Sequence, residues 1–120
     1  MKQTLLLCLA LALPECLAQP ATAAPYPYKM NGDRFVEMLH RPEPYATLER
    51  DQAYYYLNGL KDGTQGRTWC DVNHLKTPDL AYDLASEISR MPQAERKRSA
   101  AVLLLDLLHR KYPCPAAGRK

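Results

Sequence analysis

The chain has 120 residues, 47% of them hydrophobic and 24% charged. That composition suits one globular domain and sets aside a low-complexity chain. The formal net charge is +3, with no long block of one sign, which argues against a nucleic-acid partner.

Met1-Lys2 opens the chain, an apolar run follows from Leu5 to Leu13, and Pro14-Glu15 breaks it. Small residues come next, in "LAQPATAAP". A basic start, a short apolar core and an Ala-x-Ala site predict a secretory signal peptide over residues 1–23, cut before Ala24, with a cut after Ala18 as the alternative. The apolar run has 9 residues, too few to cross a bilayer, so no stable membrane anchor is expected. Such a leader predicts export of the mature chain into an oxidising compartment.

Processing also decides the cysteines. Of the 4 present, Cys8 and Cys16 leave with the leader, and Cys70 and Cys114 remain. Two cysteines in an exported chain predict one disulfide. It would close a 43-residue stretch, stabilising the fold by about 4 kcal/mol in the chain-entropy model.

Residues 24–31 contain Pro25 and Pro27 and read as an extended, flexible arm. A first helix fits Gly32 to His40, with Phe35, Met38 and Leu39 on one face, and "RPEP" ends it. A second fits Thr47 to Lys61, with Thr47 as N-cap and the Asp62-Gly63 pair at its C-terminal end. Its stripe is Ala53, Tyr56, Leu57 and Leu60. Tyr54, Tyr55 and Tyr56 cannot all face one core, so Tyr54 or Tyr55 should reach solvent or a partner. A polar loop follows to Lys76, with Trp69 expected to anchor it in the core.

Thr77-Pro78-Asp79 predicts the third helix start, with Thr77 as N-cap. Leu80, Leu84, Ala85 and Ile88 repeat at helical spacing. Pro92 opens the last helix, which runs to about Lys111 with Ala101, Leu104, Leu105 and Leu108 inward. Residues 116–120 read as a frayed tail. The predicted class is all-α, a small bundle of about four helices tied by one disulfide.

This order of features resembles the Rap/Tai family of type VI secretion amidase immunity proteins. The resemblance is carried by Tyr56-Leu57-Asn58-Gly59-Leu60-Lys61-Asp62, then Trp69-Cys70, then Ala100-Ala101 with "VLLLDLL", then Tyr112-Pro113-Cys114. It spans Thr47 to Pro115. Many members carry a second cysteine pair, and the corresponding region here has Leu39-His40 and Ala53 instead. The resemblance implies a non-enzymatic periplasmic inhibitor whose partner is a cognate peptidoglycan amidase toxin, and it allows a homodimer. An acid-stress holdase chaperone is the alternative reading for a small, disulfide-tied, all-α periplasmic protein.

Other chemistry is weaker. Cys70 with His74 reads as a nucleophile pair only if a base, an orienter and a cleft accompany it. Cys70 and His74 with His109 and Cys114 make a conceivable zinc set, but no Cys-x2-Cys pair is present. Export favours the structural disulfide over both, so no catalytic residue, metal or cofactor is expected. The Gly63–Lys76 loop is the candidate partner surface, with Arg67, Asp71, Asn73 and His74 held beside the disulfide, and Tyr55 as a further anchor.

Overall fold

The computed structural model describes residues 27–116. The expected leader, the start of the arm and most of the expected tail lie outside the described residues. Five helices follow one another: α1 (Gly32–Leu39), α2 (Ala46–Thr64), α3 (Thr77–Ser89), α4 (Gln93–Arg96) and α5 (Ala100–Lys111). Among the described residues there is no strand, only two isolated bridges. The all-α expectation holds.

Helix α1 starts where the Asn31 side chain accepts from the Arg34 backbone N–H at 2.8 Å, satisfying one of the otherwise unpaired first-turn donors. Its Phe35, Met38 and Leu39 are buried, and it packs mainly on α3 and α2, and also on α5. One core cluster forms from these residues with Ala53 and Leu57 of α2, Leu84 and Ile88 of α3, and Leu104 and Leu108 of α5. Arg34 and Arg41 meet Glu49, at 3.3 and 3.7 Å, and so tie α1 and its following turn to α2.

Several boundaries and phases differ from expectation. Helix α2 begins at Ala46, and its N-cap Tyr45 makes no side-chain capping bond, so Thr47 is not the cap. Helix α2 also passes through Gly63 to Thr64, and the left-handed residue is Gly66, at φ 80°. Thr77 lies inside α3 after Lys76. Its hydroxyl is drawn across to α2, donating to Asn58 Oδ1 and accepting from Lys61 Nζ at 3.2 Å. The expected last helix is two pieces, separated at residues 97–99. In α5 the buried residues are Ala100, Leu103, Leu104, Leu107 and Leu108, while Ala101 and Leu105 are only half-buried. The run "VLLLDLL" offers two helical phases, and packing on α1 and α3 selects between them.

The arm also differs from a free segment. The Tyr28 hydroxyl donates to Lys97 O at 2.6 Å, Ala100 N donates to Met30 O at 2.9 Å and Gly32 N donates to Arg98 O at 3.2 Å. Residues 28–32 therefore form a strap over the α4–α5 turn. Asp33 extends it, pairing with Arg96 at 2.7 Å and Lys97 at 3.3 Å. The Arg96 guanidinium holds the Asp33 carboxyl below its ordinary value, against an opposing push from burial and with help from Lys97.

Gly32 sits at this junction without room for a side chain. A Cβ there would lie 2.7 Å from Leu103 Cδ1, 2.9 Å from the Arg96 carbonyl oxygen and 3.0 Å from Ile88 Cγ2. Gly32→Ala is expected to lower stability by about 2 kcal/mol, because a backbone carbonyl cannot swing aside as a side-chain end can. Helix propensity alone predicts the opposite sign, a gain of up to about 1 kcal/mol. The shift in urea midpoint decides between them.

Candidate partner-binding loop

The segment between α2 and α3 is fixed at many points. After Thr64 the chain turns through Gly66, whose N–H donates to Trp69 O at 2.7 Å. The Arg67 guanidinium donates to Gly63 O at 2.7 Å, covering a carbonyl near the end of α2. Trp69 is fully buried, its indole N–H donates to Thr64 Oγ1 at 3.0 Å, and its ring meets Tyr112 edge-on. His109 Nδ1 lies 2.6 Å from Thr68 O. A carbonyl only accepts, so this nitrogen carries the proton.

Cys70 and Cys114 form a disulfide, with Cα atoms 4.7 Å apart, and Cys70 N donates to Tyr112 O at 2.9 Å. The end of α5 and the loop are thus joined by a covalent bond, a backbone hydrogen bond and a ring contact. Trp69 anchors the loop as the sequence suggests. Both sulfurs are spent in the bond, so neither is free as a thiolate nucleophile or zinc ligand. Among the described residues no group of three or more His, Cys, Asp or Glu is placed to hold a metal.

Beyond Cys70 the loop rises into solvent and returns. The Asp71 carboxylate accepts from Asn73 N at 3.2 Å and from Leu75 N at 3.1 Å. Lys61 Nζ, reaching from α2, donates to Leu75 O at 3.1 Å and pins the return. His74 has φ 54°, a left-handed conformation that non-glycine residues adopt at some cost. Val72, Asn73 and His74 form an exposed apex, and Val72 is 65% exposed.

The structure sorts the candidates. Asn73 and His74 are exposed at the apex. Arg67 is exposed but committed to the α2 end through Gly63. Asp71 is half-buried and shapes the loop from within, since both its oxygens face the loop's own backbone. Tyr55 lies on α2 and is 73% exposed. It stands on the helix itself, outside the Gly63–Lys76 segment, and would reach a partner from a separate element. Its neighbours take other roles: Tyr56 packs partly into the core, and burial pushes the Tyr54 phenol up beside Tyr82 of α3.

Val72 is the residue that sequence reasoning passed over. A lone valine among polar residues gives no periodicity, and only the turn held by Asp71 shows that it faces water.

The sequence model of a family described as Rap1a immunity proteins matches residues 31–114. The match begins at the α1 cap and ends at the second disulfide cysteine. No curated protein matches the chain.

Proposed function

The chain belongs to the Rap1a immunity proteins, and from that premise we propose that it neutralises a peptidoglycan amidase toxin of type VI secretion by binding it in the periplasm. The protein performs no chemistry of its own in this reading. Residues 1–23 are the leader that takes it there, and residues 32–115 are the working domain. The amidase target and the homodimer rest on the family resemblance, and the periplasm rests on the leader pattern and on a disulfide suited to an oxidising compartment.

One observation carries the choice of contact surface. The loop is tied at both ends, yet its apex of Val72, Asn73 and His74 stands in solvent. A segment already held in shape loses little conformational entropy when a partner closes over it. Val72 offers an apolar contact, and Asn73 and His74 offer hydrogen-bonding groups around it. The loop enters the toxin cleft and excludes substrate.

Calorimetric titration of the mature chain with its cognate amidase tests this. Val72→Asp and His74→Ala are each expected to weaken binding about tenfold or more, with unfolding midpoints unchanged or slightly raised. His74→Gly should raise stability by about 1 kcal/mol, because glycine adopts φ 54° freely, while still weakening binding. Unchanged affinity in all three variants would remove the loop from the interface. Failure of the unaltered chain to bind and inhibit any amidase would remove the function.

A further inference from the structure

A second feature lies on the other side of His109. A cleft of about 540 Å³ opens between the end of α3, the short α4 and the outer face of α5. That volume falls in the range of small-ligand sites. Its floor is apolar, from the half-buried Met91 and the buried Leu103. Its walls carry both signs of charge: Arg90, Arg98 and Arg110 against Glu87, Glu95 and Asp106.

The pairing within these walls is uneven. Arg90 meets Glu87 at 3.0 Å, with Lys111 3.9 Å from the same carboxylate, and Arg98 meets Glu95 at 2.7 Å and Asp106 at 4.0 Å. All three acids therefore have a cationic neighbour. The Arg110 side chain has no hydrogen bond or ion pair among the described residues. The cleft holds one guanidinium more than its own acids use. His109 adds to the same wall and offers Nε2, since its Nδ1 is spent on Thr68 O.

We propose that this cleft binds a short zwitterionic peptide. The ligand carboxylate lies on Arg110, which presents a planar fork while Asp106, one helical turn before it, faces Arg98 instead. The ligand ammonium lies among Glu87 and Glu95. Their shortest partners, Arg90 and Arg98, lie three residues away on the same surface segments, with Lys111 of α5 a longer contact to Glu87, and such exposed pairs are weak enough to yield to an incoming charge. Apolar side chains of the peptide cover Met91 and Leu103. A carboxylate alone would meet Arg110 but gain nothing from the acidic wall, so a ligand that also carries an ammonium makes a second charge contact and binds more tightly. The proposal does not depend on the toxin reading, because the cleft lies apart from the loop apex.

The test is an amide chemical-shift titration of the mature chain with trialanine, run beside N-acetyl-trialanine, trialanine amide and the doubly blocked peptide. Trialanine is expected to saturate at millimolar concentration and to shift the amides of Met91, Glu95, Leu103 and Arg110. The two singly charged forms should bind about tenfold more weakly, and the blocked form should leave the spectrum unchanged. Arg110→Ala and Glu95→Gln, both at exposed positions, should each lose about tenfold with the folded spectrum retained. Three results would overturn the proposal: no saturable shift at these amides, equal binding of the singly charged and zwitterionic peptides, or undiminished binding by both variants. Equal binding by N-acetyl-trialanine would reassign the cleft to the carboxyl end of a longer polypeptide.

Discussion

Replacing both Cys70 and Cys114 by serine is expected to cost about 4 kcal/mol of stability. The two cysteines are 44 residues apart in the chain, and opening a loop of that length returns about this much entropy to the unfolded state. Native single domains hold only about 5–15 kcal/mol in all. The loss should appear as a fall in melting temperature of roughly 20 °C for a domain of this size. The unaltered chain treated with reductant should fall by the same amount. The far-ultraviolet spectrum of the variant at low temperature should stay helical, since the bond ties a loop to the tip of α5 and none of the core helices needs it to form. A fall of only a few degrees would show that Trp69 and the Cys70–Tyr112 hydrogen bond hold the loop without the covalent link.

Trp69→Ala is the second large effect, also about 4 kcal/mol. The ring is fully enclosed, so its removal opens a cavity between the loop and α5 and also deletes the bond to Thr64 Oγ1. Trp69→Phe should recover most of the packing and cost about 1–2 kcal/mol, chiefly the lost indole hydrogen bond and residual volume. Urea unfolding of the single variants and of the combined disulfide and tryptophan variant separates the contributions. The two changes release the same segment, so the combined loss should be smaller than the sum by about 1 kcal/mol or more. Full additivity would mean that Trp69 stabilises the core independently of the loop.

Much of the fold was legible because its signals are local. Prolines at 42, 44 and 78 bracket helices, and apolar spacing identifies the buried faces of α1 and α3. The misread points are those where distant groups decide. Gly63 looks like a terminator, but α2 continues to Thr64 because the turn belongs to Gly66 and closes on Trp69 O. Thr77 looks like a cap, yet Asn58 and Lys61 take its hydroxyl. The leucine run of α5 leaves the inward face undetermined until α1 and α3 are placed against it. The site was legible only as a loop between anchors. The sequence marks Cys70 and Trp69 as fixed, while the separation of Asp71, turned inward, from Val72 and His74, turned outward, depends on hydrogen bonds that no residue pattern announces. The cleft was not legible at all, since its walls come from three helices whose charged residues read separately as solvated faces.

The strap over the α4–α5 turn bears on when the molecule can fold. Tyr28 and Asp33 find their partners 69 and 63 residues later, at Lys97 and Arg96. Gly32 likewise closes onto Leu103, Ile88 and the Arg96 carbonyl. The opening helix finds most of its seat on α2 and α3, but the strap ahead of it cannot close until residues 96–103 arrive, and contacts of such long span form slowly. When a chain emerges or refolds from its first residues onward, the segment around residues 96–103 acts as the latch that closes the strap last.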